Sequence, residues 1–338
     1  MKLYGGIDLH SNNNVVNILD EHDKVLYNKR LPNDLPTILT ALTPYQSQIE
    51  GLAVESTFNW YWLVDGLMEE GYRLHLVNTT AVQSYSGLKY TNDSHDARWL
   101  AHLLRLDILP TGYIYPKEER ATRDLLRKRA QMVRLSTTNI LSIQNLFARN
   151  TGGSIRGDTI KRMPVEDVAL LLPHEDHALA LSCNLSVMQQ CQKQIKILER
   201  IVLKRIRLRP EFQSLLTVPG IGQILALTIM LETGDITRFD KAGNFASYAR
   251  CVDSKKVSNG KKKGENNRKN GNKYLAWAFV EAANFSIRFS DTIKSYYQRK
   301  SAKTKKVIAI KAVAHKLARA CYYVMRDKVD FDVKKAFM

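Results

Sequence analysis

The sequence predicts an α/β domain over residues 1–116, a helical, coiled-coil-like arm over 117–210 and a mainly α-helical domain over 211–338. Three observations carry this reading. Short apolar runs alternate with helical periods up to about residue 110; two long helical patterns then flank an irregular stretch; helix-spaced apolar residues dominate after 211. A chain of 338 residues allows two or three domains at roughly 100–200 residues each.

Each element follows from a local pattern. Leu3 to Ile7 is an apolar run, and Val15 to Leu19 a second one beyond the polar turn His10 to Asn14. Lys24 to Leu31 alternates weakly, as a third strand does. Asn33 is placed to cap a helix from Pro36 to about Gln46. Ile49 to Val54 is the next strand, ending in Glu55; Asn59 to Glu70 is helical and stops at Gly71; Arg73 to Val77 is a strand. From His95 to Leu106 the apolar residues Ala97, Leu100, Ala101 and Leu104 fall at helical spacing. Three strands, helix, strand, helix, strand, helix is the ribonuclease H-like order, in which the first and fourth strands are neighbours. Lys117 to Arg149 and Ser186 to Arg207 form the long helical patterns, joined through a loop near Gly152-Gly153. Helical patterns recur at Tyr274 to Ile287 and Lys306 to Met325.

Composition narrows the function classes. Lys and Arg number 51 against 33 Asp and Glu, a net charge of +18, which favours a polyanionic partner, nucleic acid above all. With 44% apolar residues the chain can build cores, so disorder throughout is excluded. Its longest apolar runs, such as Leu225 to Leu231, fall far short of the ~18 residues of a membrane span, and the start shows no signal-peptide pattern. The four cysteines (Cys183, Cys191, Cys251, Cys321) have no CxxC or metal spacing and read as reduced thiols. A cytoplasmic, nucleoid-associated protein of a bacterium, without a membrane partner, is the expectation.

Four acids form the first chemical constellation. Asp8 and Glu55 end apolar strands that should be neighbours, and Asp93 and Asp96 share one helix face at i,i+3. A lone acid of this kind is ordinarily a solvated surface charge. Four converging in a basic protein raise one another's pKa and call for a divalent cation. Two such ions about 4 Å apart stabilise the attacking and leaving oxygens of phosphoryl transfer. His10 and His95 lie beside these acids; solvated turn or helix positions are expected for both. The Trp60-Tyr61-Trp62 cluster and Tyr322-Tyr323 read as packing residues.

Two further features suit phosphate. Val218-Pro219-Gly220-Ile221-Gly222 resembles the turn of a helix–hairpin–helix, where Gly220 and Gly222 free backbone N–H groups, though such a turn can also simply connect helices. Residues 254–273 carry Lys255, Lys256, Lys261, Lys262, Lys263, Arg268, Lys269 and Lys273 against the single acid Glu265. Gly260, Gly264 and Gly271 predict a flexible loop there, and the charge density suits phosphate contact. Ser254 and Ser258 are candidate nucleophiles, since cations around a hydroxyl stabilise its alkoxide.

Taken in order, these motifs resemble the insertion-sequence transposases of the IS-one-ten type, which include the pilin-gene invertase and are now called bridge recombinases. Gly6-Ile7-Asp8, Val54-Glu55-Ser56-Thr57 and Asn92-Asp93-Ser94-His95-Asp96-Ala97-Arg98 are similar to the family's DEDD set on a RuvC-like domain. Pro219 to Gly222 and Gly271-Asn272-Lys273-Tyr274-Leu275 resemble its C-terminal transposase domain. The resemblance spans nearly the whole chain.

What the resemblance implies is a transposase in which the DEDD acids hold Mg²⁺, or Mn²⁺ in its place. A serine of the C-terminal domain then attacks DNA and becomes covalently linked to it. A non-coding guide (bridge) RNA pairs with donor and target DNA. The active site is composite, acids from one protomer and serine from another, so a homo-oligomer, dimer or tetramer, is expected. The chain departs from the family at one point: Arg268 stands where the family's serine lies, three residues before Gly271. The role falls to Ser258 first or Ser254 second, or the register differs, or strands are cut without a serine adduct. The last option describes a junction resolvase using metal-activated water. A third reading, a non-catalytic nucleic-acid-binding relative, predicts disturbed acids.

Overall fold

A computed structural model describes residues 1–82, 92–172, 174–206, 209–254, 256–265 and 270–337. Residues Met1–Lys117 and Glu118–Met338 form two compact units.

The first unit contains β1 (Leu3–Leu9), β2 (Asn13–Asp20), β3 (Val25–Pro32), α1 (Leu35–Leu42), β4 (Ile49–Glu55), α2 (Tyr61–Glu69), β5 (Leu74–Val77), α3 (Thr79–Val82) and α4 (Asp93–Arg105). The sheet order is β3-β2-β1-β4-β5, antiparallel from β3 to β1 and parallel from β1 to β5. The first and fourth strands are therefore neighbours, with Ile7 paired to Val54. Side chains alternate between the two faces of a strand. Ile7, Leu9, Val16, Ile18 and Val54 pack with Ile38 and Leu42 of α1 and Leu63, Val64 and Leu67 of α2. Full burial of each such Leu or Ile contributes roughly 1.5–3 kcal/mol. On the opposite face Ala53 and Val77 meet Leu100 of α4. Trp60 joins the first of these cores.

Several local expectations change. Asp34, not Asn33, caps α1: its carboxylate accepts from the Thr37 N–H at 3.0 Å. Asn33 instead donates to the His10 carbonyl. The helix stops at Leu42 because Pro44 forces a tighter 3₁₀ segment, Thr43–Gln48. Asp8 lies inside β1, since pairing with β2 continues to Leu9.

The second unit contains α5 (Lys117–Thr151, continuing from the first unit's last residue), α6 (Gly157–Arg162), α7 (Val168–Leu171), α8 (Glu175–Ile206), α9 (Pro210–Leu216), α10 (Gln223–Thr233), α11 (Ala242–Tyr248), the hairpin β6 (Lys256–Ser258) and β7 (Lys261–Gly264), α12 (Lys273–Phe289), α13 (Asp291–Ser301), α14 (Lys306–Asp327) and α15 (Val333–Phe337). The stretch between the long helices is ordered around its own small core: Ile143, Ile160, Met163, Val168, Leu172, Leu181, Leu185 and Met188. That core lengthens α8, which starts at Glu175 rather than near Ser186. Leu126 of α5 and Val202 of α8 join the main core with α9 to α15. α10 is mostly apolar and buried from Leu225 to Thr233, as a central helix must be, with Thr228, Glu232 and Thr233 as its buried polar residues.

The basic segment is not simply a flexible loop. Residues 256–264 form a β-hairpin whose turn residues Asn259 and Gly260 both have positive φ (50° and 69°), the Asn-Gly signature of a tight primed turn. Lys255 and 266–269, with Arg268 and Lys269, lie outside the described residues. Among the described residues, no helix is long and apolar enough to cross a membrane.

Candidate active site

The acids of the first unit come together on the α4 face of the sheet. Asp8 follows Gly6 by two residues on β1, and Glu55 follows Ala53 by two on β4, so strand alternation gives both carboxyl groups the α4 side. Gly6 explains how α4 comes close. A Cβ there would stand 2.0 Å from the Ala97 carbonyl oxygen and 2.7 Å from the Ala101 nitrogen, so only glycine admits the helix backbone. Ala97 and Ala101 are themselves fully buried. Asn92 caps α4 by accepting from the His95 N–H at 2.9 Å, and Asp93 and Asp96 occupy its first turn, where carboxylates complement the helix dipole.

The electrostatics record the crowding. Asp8 is 3% exposed. Burial, then the adjacent Asp8 carboxyl and the charge of Asp96, push Glu55 up to about 8. Burial and the charge of Asp8 also raise Asp96. Asp93 is held below the usual carboxylate range, first by the Arg30 guanidinium of β3 and then by His10. All four predicted acids thus interact in one cluster.

His10 is the residue whose placement differs from expectation. Its Nε2 lies 3.3 Å from Asp8 Oδ2 and 3.3 Å from Asp93 Oδ2, and the Asp8, His10 and Asp93 ligand atoms all fall within 4.8 Å of one another. That nitrogen is buried and neither contact has hydrogen-bond geometry. The loop is fixed from behind: the His10 carbonyl accepts from Asn33 Nδ2 and Asn59 Nδ2, each at 3.0 Å. Thr57 donates to Asn59 at 2.9 Å, which ties the Glu55-Ser56-Thr57 segment to the same clamp. His95 Nδ1 is a second buried nitrogen without a hydrogen bond, 3.7 Å from Asp96 Oδ1. The signal for His10 was its position two residues past Asp8; the sequence alone does not show that the turn folds back over the sheet.

This donor set fits a divalent cation. Crowded carboxylates that resist ionisation, with an imidazole nitrogen among them, are what a cation would relieve.

The second unit holds the remaining candidates. Ser258 ends β6, exposed, in register with Lys261. Ser254 is half-buried in the preceding loop. Lys256, Lys261 and Lys263 are exposed on the hairpin, and Lys262 lies in β7. Lys273 is exposed in the first turn of α12. Gly220 has φ +84°, and a Cβ on it would stand 2.4 Å from the Ser286 nitrogen of α12, so its glycine serves close packing. Gly222 caps α10 and faces open space.

The Gly271–Leu275 motif also has a structural basis. Gly271 has φ +88°, and a Cβ would meet the Tyr248 carbonyl at 2.4 Å. Asn272 caps α12 by accepting from Tyr274 and Leu275 N–H groups, and its Nδ2 donates to buried Glu232 at 2.8 Å. Glu232 also receives Arg123 at 3.1 Å and Arg127 through two bonds of 2.6 and 2.8 Å. The Arg127 guanidinium stacks 4.6 Å from the Tyr274 ring centre. Sequence reasoning did not single out this hub.

Comparisons with known proteins agree with this picture. Residues 5–149 match the family model of DEDD transposases of the IS110 kind, and residues 212–298 match that of the transposase IS116/IS110/IS902 family. The insertion element IS116 uncharacterized 44.8 kDa protein of Streptomyces clavuligerus is 24% identical over 177 residues, 51% of this chain and 44% of that protein. The insertion element IS110 uncharacterized 43.6 kDa protein of Streptomyces coelicolor is 26% identical over 136 residues, 40% of this chain and 34% of that protein. The chain thus covers less than half the length of either relative.

Proposed function

This chain belongs to the IS110-type transposase family, and we propose that it cuts and rejoins DNA strands during transposition of an insertion sequence, with Asp8, Glu55, Asp93 and Asp96 as its metal-binding catalytic acids. The observation that carries the reading is their convergence from β1, β4 and α4 on one face of the sheet.

A divalent cation there, Mg²⁺ or Mn²⁺, would neutralise charge on the scissile phosphate and its leaving oxygen. Asp8 and Asp93 offer it their carboxylates, with Glu55 and Asp96 beside them. Arg30 holds Asp93 in place from β3. In the second unit the hairpin lysines Lys256, Lys261 and Lys263, with Lys273, supply phosphate contacts that fix DNA without reading sequence. Gly220 and Gly222 add the turn and the N-terminus of α10, and in the sequence Lys255, Lys262, Arg268 and Lys269 belong to the same basic segment. Ser258 is the preferred nucleophile, because the Asn-Gly turn presents it exposed next to Lys261; Ser254 follows. A guide RNA accounts for target choice, and a homo-oligomer brings acids and serine from different protomers. Domains 1–116, 117–210 and 211–338 divide these roles.

Denaturing gels of labelled element-end DNA after reaction test the serine. A protein–DNA adduct lost in Ser258→Ala supports it; cleavage without any adduct favours hydrolysis by water, as in a junction resolvase. Sequencing of RNA that co-purifies with the protein tests guidance: one discrete species from the non-coding flank supports it, and random RNA contradicts it.

A further inference from the structure

We infer that His10 is a metal ligand, making this a mixed nitrogen–oxygen centre that prefers Mn²⁺ to Mg²⁺. The inference rests on the metal-binding reading of the acid cluster and names a ligand outside its four carboxylates.

Three observations carry it. The Nε2 atom lies 3.3 Å from one oxygen of Asp8 and 3.3 Å from one of Asp93. Two cis ligands of an octahedral cation, each at about 2.1 Å, stand about 3 Å apart, so the nitrogen lies close to the spacing of a neighbouring ligand from each carboxylate, and the three ligand atoms fall within 4.8 Å of one another. The nitrogen is buried and meets both carboxylates at ion-pair distance without hydrogen-bond geometry to either. The backbone that presents it is held by two asparagine amides and by the His10 N–H, which donates to the Asn13 carbonyl at 2.9 Å. These contacts fix the backbone from which the ring projects.

The chemistry follows from ligand type. Mg²⁺ takes oxygen donors almost exclusively, whereas imidazole suits first-row transition cations. Replacing one oxygen or water of the centre by imidazole nitrogen therefore shifts selectivity toward Mn²⁺.

Electron spin-echo spectroscopy of the full chain loaded with Mn²⁺ tests this without reference to DNA cleavage. The wild-type spectrum should carry modulation from a directly bound nitrogen. His10→Asn should lose it and His95→Asn should keep it. Titration should show the Mn²⁺ Kd of His10→Asn rising about tenfold or more, with the Mg²⁺ Kd changing less than about threefold. Nitrogen modulation that survives in His10→Asn, or Mn²⁺ bound by the wild type without any modulation, overturns the inference while leaving the carboxylate site intact. Failure of the wild type to bind Mn²⁺ at all overturns both. If His10→Asn does not fold, His95→Asn decides: modulation kept there supports His10, and modulation lost there overturns the inference.

Discussion

Gly6 of β1 lies so close to Ala97 of α4 that any side chain at residue 6 would stand 2.0 Å from the Ala97 carbonyl oxygen. This approach sets the distance between the strand that carries Asp8 and the helix that carries Asp93 and Asp96. Backbone cannot yield as a flexible side chain can. Gly6→Ala must push α4 outward, at a cost of about 1–3 kcal/mol for an overpacked contact. The expected outcome is a lower Tm together with weaker Mg²⁺ binding, read by thermal melts and calorimetric titration. Unchanged Mg²⁺ affinity would show that the α4 spacing does not matter to the site.

Glu55 makes stability depend on pH. Burial, Asp8 and Asp96 raise its carboxyl from an ordinary 4.5 to about 8. Below 4.5 the group is neutral in both states and contributes nothing. Between 4.5 and about 8 the unfolded chain gives up the proton first, so metal-free stability falls as pH rises; above about 8 the whole penalty is present. Glu55→Gln removes that penalty. In the presence of a chelator the variant should melt higher than the wild type at pH 8 and alike at pH 4.5. Adding Mg²⁺ at pH 8 should raise the wild-type Tm more than the variant's.

Glu232 is the buried anchor of the second unit. Burial opposes its ionisation, but the Arg127 hydrogen bonds, the charges of Arg123 and Arg127 and the Asn272 amide lower its pKa overall. The stabilisation is present above the ordinary carboxylate value and is lost as pH falls through the lowered one. Glu232→Gln leaves the guanidinium of Arg123, 8% exposed, facing a neutral amide. The expected cost at pH 7 is about 3–5 kcal/mol, the range for breaking a buried pair from one side. Chemical denaturation measures it. Because Asn272 caps α12, the same variant should weaken protection of the Tyr274 and Leu275 amides in hydrogen exchange.

Much of this was legible in the sequence because its signals are local. Apolar runs ending in Asp8 and Glu55 place both acids on strands, and the i,i+3 spacing of Asp93 and Asp96 places them on one helical turn. The strand order gave the β1–β4 adjacency. What escaped was non-local. Asp34 caps α1 because Asn33 is drawn to the His10 carbonyl, a contact across 23 positions. His10 reads as a solvated turn until β1 and β4 are paired and Asn59 is brought over it. α8 begins early because Leu181 and Leu185 have Ile160 and Val168 to pack on. The Glu232 hub joins residues 40 to 109 positions apart and has no local pattern.

Metal-dependent strand cleavage by the acid cluster is tested by cleavage of a plasmid carrying the element's own ends by the wild type and by Asp8→Asn, with Mg²⁺ and with chelator, alongside a DNA-binding assay. The wild type should cleave with Mg²⁺ and not with chelator, and Asp8→Asn should lose at least about a hundredfold with DNA binding retained, a difference of about 2.7 kcal/mol in the barrier. Equal cleavage by Asp8→Asn, or cleavage that persists in chelator, would contradict metal-dependent cleavage by this cluster.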